Sequence, residues 1–302
     1  MIRNRAAGIR LRQRARPLAL AVALVLGACA HAPGPTRGEA LDVMSFNVRY
    51  GTAPDGAHAW PLRRTLVFAV IASQSPEVLG VQEALRFQLD EIRAAHPQLA
   101  ELGVGRDDGV QAGEYTAILY DSDRLQVLES GTFWLSDSPA TPGSMTWGNR
   151  YPRTVTWARM RERGADQPFL VVNTHWDHES QEARARSADQ ITGWLATHAA
   201  GEPVVVMGDF NAGPSNPAFQ RLRDRGGGGA PLRDTFAELH PGTRRVGTYH
   251  AYEGDRSGER IDAILISADW DLLSAAVDTT SSDGLYPSDH FPVIASIRLR
   301  QR

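Results

Sequence analysis

Six short groups of polar residues follow apolar runs of the sequence, and their side chains are of types that could act together on one anionic centre. The groups are Asn47 with Arg49, Glu83, His175 with His178, Asp209 with Asn211, Asp262, and Asp289 with His290. Carboxylates hold hard divalent cations, histidines move protons near neutral pH, and arginines bind anionic oxygens. These residue types suit metal-assisted hydrolysis of a phosphate ester, whose negative oxygens otherwise repel a nucleophile.

Such residues need a rigid frame, because loops at strand ends converge only when a sheet positions them. Short runs rich in apolar, β-branched or aromatic residues predict eight strands, at 41–48, 78–82, 115–120, 155–160, 169–174, 204–208, 261–266 and 292–297. Helical patterns lie between them. Because strands and helices interleave while several strands are close enough for hairpins, the sequence predicts an α/β sandwich with mixed sheets.

The helical patterns also predict which faces are buried. The pattern from Pro61 to about Ser73 places Leu62, Leu66, Val70 and Ala69 inward, and the pattern at 180–198 places Trp194 and His198 on an apolar face. Ser215 before Pro217 is expected to be the N-cap of a further helix.

The order of the polar groups along the chain is more specific than any single group. Gly208-Asp209-Phe210-Asn211 and Ser288-Asp289-His290, with the other groups in this order, resemble the endonuclease/exonuclease/phosphatase superfamily over residues 41–298. The resemblance implies a four-layered α/β sandwich, two mixed β-sheets flanked by helices, with the active site at one end.

The resemblance also implies how the reaction is divided among the residues. Glu83 and Asp289, with Asn47 nearby, would hold Mg²⁺ or Mn²⁺. Asp209 would orient or deprotonate the attacking water, and Asn211 would position that water or the phosphate.

Two histidines and two arginines complete the implied site. His290 would contact a phosphate oxygen as donor or acid/base, while Asp262 would fix its tautomer and charge. His175 would donate to the scissile phosphate or assist the leaving group. Arg49 and Arg153 are candidate phosphate clamps, because guanidinium offers two parallel donors.

Each residue also has a structural alternative. Asn47 could satisfy backbone groups in a turn, Asp262 could form a surface ion pair after Arg260, and Arg49 and Arg153 could only pair with neighbouring acids. His178 is a candidate substrate contact without an assigned role, and a structural role is favoured for Asp177.

The first residues have the composition of an export signal. Six arginines precede residue 17, no acidic residue precedes Glu39, and an apolar run from Pro17 to Leu26 follows. The run is about half of the roughly 20 residues that a membrane-spanning helix needs. Cys29, the single cysteine, lies in Leu26-Gly27-Ala28-Cys29, which resembles the lipidation site of bacterial lipoproteins; the alternative is an ordinary signal cleaved after Ala30 or Ala32.

This composition predicts three segments: a lipoprotein-type signal peptide at 1–28, a flexible tether at 29–40 and one catalytic domain at 41–302. The exported protein would be held in a Gram-negative-type envelope by its lipid anchor only, or be periplasmic or secreted if the lipid site is not used. A monomer is expected.

The substrate is less clearly indicated than the reaction. Without residues 1–28 the chain has 26 basic against 35 acidic residues, a net charge of −9, and it has no lysine. Such a charge disfavours strong binding of duplex DNA. A nuclease on DNA or RNA is favoured because nucleases are common in the superfamily; phospholipid head groups and small sugar or nucleotide phosphates are the alternatives. A catalytically silent binding module is disfavoured, because every expected catalytic position is intact.

Overall fold

The computed structural model describes residues 39–199 and 201–300. The signal at 1–28, Cys29 and the tether up to residue 38 lie outside the described residues. Within them no helix is both long and apolar enough to cross a membrane. The strands are β1 (Leu41–Asn47), β2 (Val78–Ala84), β3 (Leu99–Leu102), β4 (Tyr115–Asp121), β5 (Leu125–Trp134), β6 (Thr154–Glu162), β7 (Pro168–His175), β8 (Val204–Asp209), β9 (Arg233–Asp234), β10 (Asp262–Ile266), β11 (Trp270–Val277) and β12 (Val293–Leu299). The α-helices are α1 (Trp60–Gln74), α2 (Arg86–Ala95), α3 (Gln181–His198), α4 (Pro217–Arg225) and α5 (Thr235–Leu239).

The strands form two six-stranded mixed sheets. The first has the order β11-β12-β1-β2-β4-β3 and the second the order β5-β6-β7-β8-β10-β9. β1 runs parallel to β2 and β7 parallel to β8, whereas the other neighbours are antiparallel. The predicted pair of mixed sheets flanked by helices is therefore confirmed.

Alternating side chains of the central strands explain the four layers. Val43 of β1 packs in the core that holds residues of both sheets, while its neighbour Met44 packs on the other face, with α1 and α2. In the second sheet Val171 faces the shared core and Val172 faces α3 and α4. Successive residues of a strand point to opposite faces, so a central strand buried on both sides must be apolar throughout.

One polar group joins the two sheets inside the shared core. Asn173 of β7 donates to the carbonyl oxygens of Val81 and Ala117, at 3.1 and 2.7 Å, and accepts from Gln82 at 2.7 Å. Gly80 makes this approach possible, because a Cβ there would lie 2.9 Å from Oδ1 of Asn173 and 2.8 Å from Cε of Met207. The bonds fix how the sheets face each other just below the strand ends that carry the candidate site.

The helices correct three of the expectations. In α1, Leu62 is 58% exposed and Ala69 is exposed, because the buried face is made by Trp60, Arg63, Val67, Val70 and Ile71.

The other two corrections concern α3 and α4. His198 is exposed at the end of α3 and stacks on the half-buried Trp194 with ring centroids 4.3 Å apart. The N-cap of α4 is Asn216, which accepts from the amide of Ala218 at 2.9 Å, whereas Ser215 donates to Glu259.

Candidate active site

The predicted residues meet at one end of the sandwich because of the strand directions. Asn47 and Glu83 lie at the carboxyl ends of the parallel strands β1 and β2, and His175 and Asp209 are the last residues of β7 and β8. Asp262 begins β10, which runs antiparallel to β8 and pairs Asp262 with Asp209. The loop before β12 reaches the same end, since β12 runs antiparallel to β1.

A cleft of about 580 Å³ opens at this end. Of the predicted site residues, those lining it are Arg49, Glu83, Arg153, His175, His178, Asp209, Asn211, Asp289 and His290. Asn47 and Asp262 lie behind this wall and are fully buried. The predicted residues therefore form two sets: one lines the cleft, and the other is buried behind it and supports the first.

The backbone around the cleft takes conformations that most residues avoid. Arg49, Glu83 and Asn211 have positive φ angles of 57°, 63° and 47°. Gly208 has φ 153°, and a Cβ there would lie 2.0 Å from the carbonyl oxygen of Thr174, so the motif needs glycine at that position. Such strain collects where a fold aims side chains at one point.

Asn47 joins the two carboxylates nearest to it. Its amide nitrogen donates to Oε1 of Glu83 at 2.9 Å and to Oδ2 of Asp209 at 3.0 Å. Its amide oxygen accepts from the backbone N–H of Arg49 at 2.9 Å. In this arrangement the amide group of Asn47 holds two carboxylates in place.

Asp209 is buried with other charges, which shapes its ionisation. Burial and, next, the negative charge of Asp262 raise the pKa of Asp209 to about 7, although His290 and the bond from Asn47 oppose the rise. Oδ1 of Asp209 also accepts from the backbone N–H of Asn211 at 2.9 Å. A carboxylate with this pKa can accept a proton near neutral pH.

His290 and His175 are driven in opposite directions. Burial disfavours charge on His290, but Asp262, whose Oδ2 lies 2.9 Å from its Nδ1, and Asp209 outweigh burial and raise the pKa of His290 well above its usual value. For His175, burial and the nearby Arg153 both lower the pKa. The cleft therefore holds one imidazolium and one neutral imidazole, a pairing suited to separate acid and base roles.

The ion-pair alternative for Asp262 does not hold. Arg260 pairs with the carboxylate of Asp234 and donates only to the backbone carbonyl of Asp262. The side chain of Asp262 is left to bind His290.

Arg153 is buried and lies between two histidines. Its terminal nitrogens lie 3.0 Å from the ring nitrogens of His175 and 2.8 Å from Nδ1 of His178. Its nearest described carboxylate is Asp177, with Nε to Oδ2 at 3.8 Å. Asp177 itself accepts from the backbone N–H groups of Glu179 and Ser180, so a turn-forming role matches the expectation for it.

Arg49 lines the cleft but is held by acids. It donates to both oxygens of Asp55 at 3.0 and 2.9 Å, and its Nε lies 3.7 Å from Oδ2 of Asp289. Tyr252 donates to the same Asp55 at 3.3 Å. The guanidinium is thus fixed at the cleft edge beside a predicted metal ligand.

Two overlapping sets of side chains have the spacing of metal ligands. In each set, one possible ligand atom from every residue lies within 4.8 Å of the other two. The sets are Glu83, His175 and Asp209, and Asp209, Asp262 and His290. Asp289 belongs to neither set, but burial and the charge of Glu83 raise its pKa, while His290 opposes the rise. Buried carboxylates that repel each other fit a hard divalent cation, which both neutralises and binds them.

Other residues of the cleft were not expected from the sequence. Arg106, Glu114, Tyr50, Tyr249 and Ile261 line it beside the predicted set. Arg106 and Glu114 bracket the polar, glycine-containing stretch 107–113, and that composition is the signal by which the sequence could have indicated them. Of the aromatic residues close in sequence to Arg153 and His175, Tyr151 lines the cleft and is 38% exposed, whereas Trp147 and Trp176 are buried.

Comparisons with known proteins agree with the fold. The sequence model of the Endonuclease/Exonuclease/phosphatase family matches residues 44–290. An endonuclease/exonuclease/phosphatase structure from Bacteroides vulgatus is 31% identical, with a TM-score of 0.80, over 86% of this chain and 99% of that one. The mannosyl-6-phosphatase structure from Bacteroides thetaiotaomicron is 28% identical, with a TM-score of 0.76, over 85% and 99% of the two chains.

A curated sequence relative is more distant. Nocturnin of Drosophila melanogaster is 22% identical over 88% of this chain, and the chain spans about half the length of that relative. The family match covers most of the chain and includes every predicted site residue from Asn47 to His290. The chain therefore belongs to the Endonuclease/Exonuclease/phosphatase family, a family of metal-dependent phosphoester hydrolases.

Proposed function

We propose that the protein is a phosphomonoesterase that acts on small phosphorylated carbohydrates or polyols. The observation that carries this proposal is the balance of charge in the cleft. Glu83, Glu114, Asp209 and Asp289 line it together with three arginines, two of which already bind carboxylates. A strand of nucleic acid needs a basic groove along several phosphates, whereas a single phosphate needs only one positive centre.

The size of the cleft is also that of a small-molecule site. Its volume of about 580 Å³ lies within the range of about 300–1,000 Å³ that such sites occupy. The similar mannosyl-6-phosphatase of Bacteroides thetaiotaomicron supports the same class of substrate.

The side chains of the cleft divide the reaction as follows. Glu83 and Asp289 would hold Mg²⁺ or Mn²⁺, which supplies positive charge to the phosphate oxygens. Asp209 orients a water molecule and accepts its proton, and Asn211 beside it positions the water or the phosphate. The imidazolium of His290 donates to a phosphate oxygen, and Asp262 keeps it charged and oriented.

His175 and Arg153 act on the other side of the phosphate. Neutral His175 donates a hydrogen bond to the phosphate or to the leaving oxygen, since burial and then the adjacent Arg153 lower its pKa and keep the ring uncharged. Arg153 and Arg49 are the candidate phosphate clamps, since both guanidinium groups line the cleft.

Nuclease activity is the second candidate. Tyr151 and Tyr249 line the cleft and are 38% and 51% exposed, and exposed rings can stack on nucleobases as well as on sugars.

A substrate panel separates the two candidates. The purified protein, with Mg²⁺ or Mn²⁺, is given mannose 6-phosphate, glucose 6-phosphate, an inositol monophosphate, bis-p-nitrophenyl phosphate, single-stranded oligo-DNA and oligo-RNA. Release of inorganic phosphate from the sugar phosphates, with at least about tenfold higher kcat/KM than oligonucleotide cleavage, is the expected result. If the protein cleaves the oligonucleotides and does not hydrolyse the sugar phosphates, the proposal is overturned in favour of a nuclease.

We further propose that the protein is an exported lipoprotein acting outside the cytoplasm as a monomer. The support is the basic and apolar N-terminal sequence that ends at Cys29. A Cys29→Ser variant should leave the membrane fraction, and its retention there would refute lipid anchoring. Gel filtration of the variant tests the monomer.

A further inference from the structure

An ion pair outside the catalytic set lies in the wall of the cleft. Arg106 follows β3 and Glu114 precedes β4, and they form two bonds, from the terminal nitrogens of Arg106 to Oε2 and Oε1 of Glu114, at 2.6 and 2.8 Å. Their side chains are only 10% and 17% exposed. Burying two charges costs desolvation free energy that apolar residues would not incur, so the pair needs a reason other than stability.

The loop that carries the pair is rigid. The backbone N–H of Arg106 donates to the carbonyl of Glu114 at 3.1 Å, and Trp134 donates to the carbonyl of Arg106 at 2.6 Å. Oδ1 of Asp108 accepts from three successive backbone N–H groups, those of residues 110, 111 and 112. A loop held in this way can place a binding group accurately.

An aromatic ring lies beside the pair. The guanidinium of Arg106 lies 5.3 Å from the ring centre of Tyr151, and Tyr151 stacks on His178 with centroids 6.2 Å apart. The carboxylate and the guanidinium can bind hydroxyl groups, and a ring face can pack against the C–H face of a sugar. His178 reaches the buried Arg153 at 2.8 Å, which links this wall to the phosphate end of the cleft.

We propose that Arg106 and Glu114 bind hydroxyl groups of the alcohol part of the substrate, with Tyr151 packed against its apolar face, and so select phosphorylated carbohydrates over simple phosphate esters. This inference rests on the proposed phosphomonoesterase function. The oxygens of Glu114 accept from hydroxyl hydrogens, and the guanidinium of Arg106 donates to hydroxyl oxygens. A carboxylate at this place disfavours a second phosphate, which excludes a polyanionic chain in the same position.

The test compares kcat/KM of one variant for two substrates. Glu114→Gln should lower kcat/KM for mannose 6-phosphate at least about tenfold, because a carboxylate that binds hydroxyls makes a stronger hydrogen bond than an amide. The same variant should change kcat/KM for p-nitrophenyl phosphate, which has no hydroxyl groups, by less than about threefold. Glu101→Gln is the matched control, since Glu101 also takes two bonds from one arginine, Arg86, outside the cleft, and should alter neither value.

Tyr151→Ala provides a second test that leaves no charge unpaired. It should lower kcat/KM for the sugar phosphate and spare p-nitrophenyl phosphate. The inference is overturned if both variants lose kcat/KM equally on the two substrates, or lose it on neither. The proposed function would still stand in that case, provided that the wild type hydrolyses the sugar phosphate. A wild type that hydrolyses p-nitrophenyl phosphate or oligonucleotides but no sugar phosphate would overturn the proposed function and this inference with it.

Discussion

Nδ1 of His290 lies 2.9 Å from Oδ2 of Asp262, and both side chains are buried at the base of the cleft. Asp262 also faces Asp209, the residue proposed to accept the proton of water, across the pairing of β8 and β10. One carboxylate, that of Asp262, therefore acts on two groups that must be in opposite protonation states: Asp209 without its proton and His290 with its second proton.

Replacing Asp262 by Asn should move the pH profile of activity as a whole. The charge of Asp262 raises the pKa of both Asp209 and His290, so its removal lets Asp209 ionise at lower pH and lets His290 lose its proton at lower pH. Activity rises with pH as Asp209 ionises and falls as His290 deprotonates. Both limbs of kcat/KM, measured from pH 5 to 10, should shift to lower pH.

Asp271→Asn is the control for that shift, because Asp271 is an exposed acid on β11 that pairs with Arg298 and Arg300. Its profile should match the wild type. If the limbs of Asp262→Asn stay in place, Asp262 does not set the charge of the two groups.

Replacing Asp209 by Ala should lower kcat by about 10²–10⁴-fold, the range expected when a group that transfers protons is lost. The fold should survive, since the change removes a buried carboxylate whose pKa is already raised to about 7 by burial and by Asp262. The measurement is steady-state phosphate release together with a thermal melt. Unchanged metal-dependent hydrolysis would refute the role of Asp209, and a wild type that hydrolyses nothing would favour a binding module.

Divalent metal should stabilise the protein and release protons on binding. Burial and the charge of a second carboxylate raise the pKa of Asp209, through Asp262, and of Asp289, through Glu83, and a bound cation would relieve both. A ligand bound only by the folded state adds about 2.7 kcal/mol to the free energy of unfolding at a hundredfold excess over Kd. EDTA should abolish activity, and Mg²⁺ or Mn²⁺ should restore it.

Glu83→Gln should reduce both the metal-induced rise in Tm and the proton release at pH 6.5, whereas Glu182→Gln, at an exposed position of α3, should leave both intact. A full metal response in Glu83→Gln would place the cation elsewhere.

The sequence predicted the interior of the sheets but not their edges. All eight expected strands are present, and the four strands that the apolar runs did not indicate, β3, β5, β9 and β11, are the two edge strands of each sheet. An edge strand meets solvent, so β5 carries a run such as Leu128-Glu129-Ser130 that is exposed and has no apolar pattern. The missing signal is a consequence of position in the sheet.

The catalytic groups could be predicted for a related reason. Asn47, Glu83, His175 and Asp209 directly end or follow apolar central strands, so their convergence is encoded locally. Arg106 and Glu114 come to the same cleft from a loop whose path depends on bonds to β5 far along the sequence. Contacts of that kind leave no periodic pattern.

The burial of Arg63 likewise depends on contacts that leave no periodic pattern in the sequence, and it gives a final prediction. The expected inward position in α1 was Leu62, but the fully buried Arg63 donates to the carbonyls of Val48, Pro287, Arg49 and His58, at 2.8, 2.7, 3.1 and 2.9 Å. One side chain thus fastens the loop after β1 to the segment that leads to Asp289 and His290. Arg63→Met leaves these carbonyls without their donor and should cost about 3–5 kcal/mol of unfolding free energy, measured by urea denaturation.

Arg64→Met is the matched control on the same helix, because Arg64 is 43% exposed and forms a surface pair with Glu91 worth about 0–1 kcal/mol. Arg63→Lys separates charge from geometry, since a single ammonium cannot reach carbonyls that diverge around a planar guanidinium. It should recover only part of the lost stability, and kcat/KM should stay reduced even well below its melting temperature, because Arg49 and Asp289 are no longer held in register. Wild-type stability and activity in Arg63→Lys would show that a buried positive charge suffices and that the four directed bonds do not position the cleft.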